Sequence, residues 1–158
     1  MNEKTRTVAD SLVETVHFVR LNHLNGAGRL FGGVLIQWID EVAALVGRRH
    51  AKTNVITASV DHLDFIQSAH QNDVIVVIGK ATHTGNTSME VRVDTFVELM
   101  DGSRKKINRA FFTMVALDEN DKPTPLPKLE IQTKEEEEEW ERANQRKAER
   151  KRRKEIGF

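Results

Sequence analysis

The sequence has no cysteine and no tyrosine, and only three of its 158 residues are proline. Without cysteine there can be no disulfide framework, no thiolate nucleophile and no cysteine-ligated zinc, so stability must come from apolar burial and pairing of polar groups. No apolar run has the length of a signal-peptide core or of a membrane span. We therefore expect a cytoplasmic protein with no membrane partner.

The chain also has no net charge, because 24 Lys and Arg residues balance 24 Asp and Glu residues. This balance argues against a protein that binds nucleic acid through overall positive charge, and we expect no nucleic-acid partner for the core. A chain of 158 residues with 39% hydrophobic residues is typical of one domain with one core.

The charges are segregated near the C-terminal end. Residues 134–158, KEEEEEWERANQRKAERKRRKEIGF, are rich in strong helix formers and have almost no apolar stripe. We expect a solvated, fraying helical extension; the alternative is a basic end that contacts RNA or a membrane. Pro123, Pro125 and Pro127 mark the end of the compact part. The sequence thus predicts a domain over residues 8–128 and a charged helical extension over residues 129–158.

The hydrophobic pattern of the body predicts an α+β fold. A short strand over residues 14–21 precedes a glycine-rich loop and then VLIQWIDEVAALVG, which has the length of a helix and contains no proline. Four segments rich in Val, Ile, Thr and Phe follow and predict strands: residues 55–65, 74–82, 88–100 and 107–117. Short turns between these strands imply an antiparallel sheet packed on one central helix.

Three polar residues interrupt the otherwise apolar helix. Gln37, Asp40 and Glu41 are spaced i, i+3 and i+4, so they form one short stripe. A carboxylate on such a helix is unfavourable unless it is paired or solvated in a cleft, where it could act chemically. The pattern alone leaves two interpretations open, a reactive carboxylate or an ordinary surface edge of the helix.

The loop before the helix, NHLNGAGRLFGG, contains four glycines. Their spacing is not G-x-G-x-x-G and no βαβ unit follows, which excludes a dinucleotide-binding fingerprint. Unpaired N–H groups at a helix N-terminus can bind a phosphate or polarise a carbonyl oxygen. The alternative is a tight loop whose glycines allow close packing.

Other common catalytic motifs are missing. The six histidines show no metal-binding spacing, so no metal is expected, and the sequence contains neither G-x-S-x-G nor a Walker A motif. If the chain catalyses hydrolysis, the leading option is a water activated by a carboxylate, or a carboxylate nucleophile.

One long segment resembles a known family. HLNGAGRLFGG at residues 23–33, followed by WIDEVA at residues 38–43, resembles the N-x-x-G-x-x-F-G-G-x-L…D signature of the hotdog-fold acyl-CoA thioesterases, the acyl-CoA hydrolase family. Residues 54–65, 84–91 and 112–118 are similar to the later strands of that family. The resemblance extends from Ser11 to Pro127 and implies a hotdog fold, in which a five-stranded antiparallel sheet wraps a long central helix.

The resemblance also implies a function. The protein would hydrolyse acyl-CoA to a free carboxylic acid and CoA, at a site shared between two subunits. Asp40 would be the general base or nucleophile, Asn25 from the other subunit would position the water or thioester, and the amide of Gly33 would polarise the thioester carbonyl. Phe31 and Gly32 would contact the substrate. A dimer is the minimum assembly, a hexamer built as a trimer of dimers is its extension, and no cofactor is implied beyond the CoA of the substrate.

The same resemblance places CoA beside the turn formed by Gly85, Thr87 and Ser88. Candidates for contacts with its phosphates are five cations, namely Arg29, Lys80, Arg104, Lys105 and Lys106. Two departures from the family pattern matter: Asn86 replaces an expected Arg, and Asn72 replaces an expected Gly in a turn. Two alternatives stay open, a non-catalytic acyl-CoA or lipid-binding hotdog module, and a binding function carried by the tail alone.

Overall fold

A computed structural model describes residues 4–158, which form seven strands, three α-helices and one 3-10 turn at Leu21–His23. In chain order the elements are β1 (Thr5–Thr7), α1 (Val8–Ser11), β2 (Val13–Phe18), α2 (Gly32–Ala51), β3 (Asn54–Phe65), β4 (Val74–Thr84), β5 (Ser88–Glu98), β6 (Arg104–Leu117), β7 (Lys128–Glu130) and α3 (Lys134–Glu155). None of the described helices is long and apolar enough to cross a membrane.

The central feature is a five-stranded antiparallel sheet around α2, with strand order β2-β4-β5-β6-β3. Ile39, Val42 and Val46 of α2 are fully buried in the core that the sheet encloses. The close approach needs Gly79 on β4, since a Cβ atom there would lie 2.6 Å from Val42 Cγ1. The predicted α+β architecture with one long helix and five strands is confirmed.

Element boundaries differ from the predictions by a few residues. Helix α2 begins at Gly32 and ends at Ala51, where Lys52 adopts a left-handed backbone with φ of 58°. Strand β6 begins at Arg104, because its charged first residues continue the ladder opposite β5. In the turn before β4, Asn72 has φ of 70°, so asparagine supplies the left-handed conformation that glycine usually provides.

Strand β3 lies at the edge of the sheet and, among the strands of residues 4–158, pairs with β6 alone. Eight of its twelve residues are exposed, and the exposed ones include Ile56, Val60 and Phe65. A long edge with exposed apolar side chains is a template for pairing with another chain. This edge is therefore a surface suited to self-association.

The proline-rich segment does not leave the fold. Strand β7 pairs in parallel with β1, so that Thr5 lies opposite Lys128. Leu126 N donates to Asn86 O at 3.1 Å, and a ring nitrogen of the buried His50 lies 2.7 Å from Pro127 O. Residue 128, the predicted end of the domain, thus lies within a paired strand; the division into 8–128 and 129–158 stays a prediction.

Helix α3 corrects the expectation for the tail. The predicted helix is present, but it does not fray into solvent: it packs against the outer face of the sheet. Glu139 and Ala143 are buried, and the ring of Trp140 packs against that of His83 at an angle of 34°, with ring centroids 4.0 Å apart. Thr133 caps the helix start by accepting a hydrogen bond from Glu136 N.

The physical reason is that charges on α3 meet opposite charges on the sheet. Arg146 donates to Glu90 at 2.7 Å and to Glu139 at 2.6 Å, and Arg92 of β5 also donates to Glu139 at 2.6 Å. Burial alone would raise the pKa of Glu139, but the bonds and charges of Arg146 and Arg92 outweigh it and lower the pKa. These side chains form an ion-pair network under α3.

The same network involves the basic end of the tail. Arg150 donates to Asp61 and Glu90, and Arg153 donates to Asp61. With Arg146 bound to Glu90 and Glu139, and Arg152 to Glu149, all four arginines of this end donate to carboxylates of the same chain. This geometry argues against the alternative that the basic end is a free RNA-binding or membrane-binding surface.

Candidate active site

The loop before α2 is fixed by the side chain of Asn25. Its Oδ1 accepts hydrogen bonds from Ala27 N at 3.0 Å and from Arg29 N at 3.1 Å. Gly28 turns the chain with φ of 72°, and its N–H donates to Asn25 O. The side-chain NH2 of Asn25 makes no hydrogen bond within residues 4–158, so it is available to a substrate or a water molecule.

The start of α2 leaves two amide groups available. Phe31 occupies the N-cap position without a side-chain capping bond, and the amides of Val34 and Leu35 both donate to Phe31 O. The preceding amides, those of Gly32 and Gly33, have no acceptor among the described residues. Such groups, at the positive end of the helix dipole, can stabilise an anionic oxygen.

Close packing is a second reason for the two glycines. A Cβ atom at Gly33 would lie 2.7 Å from Phe31 Cε1, and one at Gly32 would lie 3.3 Å from the ring of Phe65. Both interpretations of the loop therefore apply: the glycines let aromatic rings lie over the helix start, and they leave its N–H groups uncapped.

The polar stripe of α2 divides into two parts. Asp40 is half-buried, and the hydroxyl of Thr57 on β3 donates to Asp40 Oδ1 at 2.7 Å. Gln37 and Glu41 are exposed, and Gln37 Nε2 donates to Glu41 Oε1 at 3.1 Å. Asp40 is thus held by a neighbouring strand, whereas the other two form an ordinary surface pair.

Thr57 is the site residue that the sequence analysis missed. A threonine in a strand is ordinary on propensity grounds, and its role depends on β3 packing against α2. The one signal was its position inside the segment 54–65, which resembles the family.

The cleft beside Asn25 does not extend to Asp40 within residues 4–158. A cleft of about 350 Å³ lies beside Asn25, between the start of α2 and the end of β3, and Gly32 and Phe65 line it. Asp40 is not among its lining residues. The expectation that the two residues meet across two subunits stays a prediction.

The turn from Gly85 to Ser88 is well fixed. Gly85 N donates to Ser88 O at 2.7 Å, and Thr87 O accepts from Ala116 N at 2.9 Å. Lys147 of α3 lies beside it, with Nζ 3.5 Å from the position that a Cβ of Gly85 would occupy. The structure thus brings a cation to this turn that the sequence analysis did not consider.

The five cations proposed for the phosphates differ in their environments. Lys80 lies 3.7 Å from Glu135, Arg104 pairs with Glu14 and Glu98, and Lys106 lies 3.8 Å from Asp94. Arg29 and Lys105 are exposed and make no ion pair within residues 4–158. Within one chain the first three are therefore partly neutralised.

Four of the six histidines, His17, His23, His50 and His83, serve as packing and hydrogen-bonding groups. His17 stacks on Trp38 with ring centroids 4.3 Å apart, and His23 meets the same ring edge-on. Burial lowers the pKa of His17, His50 and His83, which favours their neutral forms. No group of three His, Asp or Glu side chains in residues 4–158 is arranged to hold a metal ion.

A helix wrapped by a five-stranded sheet, with a held carboxylate on the helix and an uncapped helix start, defines a hotdog protein of the thioesterase type. Residues 27–99 match the model of the thioesterase superfamily. The uncharacterised acyl-CoA thioester hydrolase YkhA of Bacillus subtilis is 38% identical over 152 residues, which cover 96% of this chain and 88% of that protein. The chain therefore belongs to the acyl-CoA thioester hydrolase family of this superfamily.

Solved structures of acyl-CoA thioesterases have the same fold as this chain. The crystal structure of an apo hexameric acyl-CoA thioesterase has a TM-score of 0.91 and 42% identity, over 95% of this chain and 97% of that one. An acyl-CoA hydrolase of Staphylococcus aureus, in complex with butyryl-CoA and CoA, has a TM-score of 0.90 and 28% identity, covering 95% and 92%. The predicted hotdog fold is confirmed.

Some relatives are longer than this chain. The cytosolic acyl coenzyme A thioester hydrolase of Rattus norvegicus is 38% identical over 136 residues, which cover 84% of this chain and 36% of that protein. The chain thus spans about a third of the length of this mammalian relative.

Proposed function

We propose that this protein hydrolyses acyl-CoA thioesters to a free carboxylic acid and CoA. The observation that carries the proposal is the half-buried carboxylate of Asp40, held by the Thr57 hydroxyl at 2.7 Å in a chain of the acyl-CoA thioester hydrolase family. A thioester is already an activated acyl group, so a carboxylate and a dipole that polarises the carbonyl are sufficient, and no cofactor is needed.

The chemistry follows from these groups. The carboxylate of Asp40 removes a proton from water, which adds to the thioester carbon, or it attacks that carbon directly to give a mixed anhydride that water then cleaves. The Gly33 N–H donates to the carbonyl oxygen as it becomes negative, aided by the helix dipole. The C–S bond breaks, and the CoA thiolate leaves and takes up a proton. The NH2 group of Asn25 positions the water or the thioester.

We propose further that two subunits build each site. The exposed edge of β3, which carries Thr57 at the same surface, supports pairing of two copies. Closure into a trimer of dimers is proposed because a relative of 42% identity is described as hexameric. A cytoplasmic location is proposed from the cytosolic rat relative, and residues 8–128 are proposed as the catalytic domain.

A thiol-release assay over short, medium and long acyl-CoAs tests the function. We expect turnover with at least one chain length, detected as free CoA thiol. Saturable acyl-CoA binding with no thiol release at any chain length would contradict the proposal and favour a binding module.

A further inference from the structure

A basic cleft lies on the molecule where β1, the C-terminal end of α2 and the proline-rich segment meet. It has a volume of about 570 Å³ and is lined by the cations Lys4, Arg6, Lys52 and Lys128, together with Asn86. No Asp or Glu is among its lining residues. We call it the β1–β7 cleft.

The backbone holds these cations in fixed positions. Lys128 N donates to Lys4 O at 3.1 Å, which places Lys4, just before β1, beside the start of β7, and Arg6 lies within β1 opposite Leu129. Lys52 is the C-cap of α2, where its N–H donates to Arg48 O at 2.9 Å.

The opposite wall of the cleft is also rigid. Pro125 and Pro127 have restricted backbones, and the chain around them is tied down by Asn86 O and by the ring of the buried His50. The cleft therefore has its shape before any ligand arrives, which lowers the ordering cost of binding.

The charges of the cleft are largely uncompensated. Lys4, Lys52 and Lys128 make no ion pair with a carboxylate within residues 4–158. Arg6 lies near Asp10: hydrogen bonds with Thr7 lower the pKa of that carboxyl, and the charge of Arg6 adds a smaller contribution. Three lysines that make no ion pair in the described part of the chain, gathered around one concave surface, produce a positive potential that attracts a multiply charged anion.

We infer that the β1–β7 cleft binds the phosphate groups of a nucleotide. Its volume lies within the usual range for small-ligand sites, about 300–1,000 Å³, and Asn86 at its rim can both donate and accept hydrogen bonds to a base or a ribose. Lys4, Arg6 and Lys128 lie outside residues 27–99, so the cleft is largely built by segments beyond the superfamily match.

Two sources could supply this chemistry. One is the phosphorylated nucleotide portion of the CoA substrate, an anchoring role that rests on the proposed function. The other is a free nucleotide, which binds independently of that function.

The test uses the full chain and a triple variant, Lys4→Gln with Lys52→Gln and Lys128→Gln. The matched control is Lys122→Gln with Lys151→Gln and Lys154→Gln, which removes the same charge from exposed positions outside the cleft. Calorimetric titration with ADP and with CoA measures binding. Kinetics with one acyl group, carried either by CoA or by pantetheine, measures the contribution of the nucleotide to KM.

If CoA occupies the cleft, the triple variant raises KM for acyl-CoA at least about tenfold at low salt, with little change in kcat or in KM for acyl-pantetheine. If a free nucleotide occupies it, ADP binding weakens by a similar factor while acyl-CoA kinetics stay unchanged. Either result supports the site, provided that the control triple behaves as the unmodified protein.

The inference is overturned if ADP affinity, CoA affinity and KM for acyl-CoA are the same in both triple variants. Because the titrations do not depend on turnover, they report on the cleft even if the protein releases no thiol. Failure of the cleft and failure of the proposed function are therefore distinguishable.

Discussion

At the scale of single residues, the contact between Thr57 and Asp40 organises the proposed chemistry. The hydroxyl donates to Oδ1 at 2.7 Å, which fixes the carboxylate and leaves Oδ2 for a water molecule or a thioester carbon. A carboxylate oriented in this way loses little freedom when it enters the transition state.

We predict that Thr57→Val lowers kcat about tenfold to a hundredfold, because it removes the donor and keeps the shape of the side chain. Thr57→Ser, which retains the hydroxyl, should recover most of the activity. Thr57 is exposed, so both variants should keep a melting temperature close to that of the unmodified protein. Equal kcat values for Thr57→Val and the unmodified protein would contradict the proposal that the Thr57 hydroxyl orients Asp40.

There is a physical reason why the sequence predicts Asp40 as a site residue and does not predict Thr57. A carboxylate in an apolar helix conflicts with its surroundings, so it stands out in the sequence. A threonine is common in strands, so it does not stand out in the sequence. Its contact with Asp40 exists only because β3 packs beside α2. The glycines before α2 are intermediate, since their pattern is visible but the rings that cover them are not.

At the scale of elements, α3 is where the sequence misled most. Glu90, Arg92 and Asp94 alternate with apolar residues along β5 and so share one face of the strand, and a charged face is usually solvated. In the structure α3 covers that face: Arg146 of α3 pairs with Glu90 of β5, and Glu139 of α3 pairs with Arg92 of β5. A one-dimensional pattern cannot show that two charged surfaces with complementary signs meet.

We predict that Arg146→Met destabilises the fold by about 3 kcal/mol, because it leaves the buried Glu90 and Glu139 with less compensation. It also removes the contact of the guanidinium with the ring of Phe111, 3.7 Å away. Arg142→Met is the matched control: Arg142 is on the same helix, half-exposed, and 3.5 Å from Glu139. Urea denaturation should show that Arg142→Met changes the free energy of unfolding only slightly. Equal free energies of unfolding for the two variants would disprove the prediction.

At the scale of the whole molecule, the burial of histidine side chains makes the stability of the fold depend on pH. The pKa values of His17, His50 and His83 are lowered in the fold by burial. The unfolded chain then binds protons that the folded chain does not, so stability is complete above the ordinary histidine pKa of about 6.5 and decreases as pH falls below it.

We predict that the free energy of unfolding decreases between pH 7 and pH 5.5, by up to about 1.4 kcal/mol per pH unit for the fully buried His50 and by less for the more exposed His17. The lowered pKa of Glu139 adds a further loss of stability as the pH falls below the ordinary pKa of a glutamate, about 4.3. Urea denaturation at a series of pH values measures both losses of stability. His50→Gln should make the decrease between pH 7 and pH 5.5 smaller. Stability that rises on acidification from pH 7 would contradict the assignment.

The proposal that two subunits share each site makes a quantitative prediction about assembly. Asn25→Ala and Asp40→Asn should each be inactive alone, whereas subunits unfolded together and refolded as a random mixture should recover about a quarter of normal activity. Half of the dimers then contain one variant of each kind, and each of these dimers has one intact site. If both residues act within one chain, the mixture recovers nothing.

The rate of CoA release by Asp40→Asn tests the central claim most directly. The substitution keeps the size of the side chain and removes the negative charge, so we predict a loss of about a thousandfold in kcat, with an elution volume in size-exclusion chromatography equal to that of the unmodified protein. A folded and assembled Asp40→Asn protein that releases CoA at a near-normal rate would contradict the account.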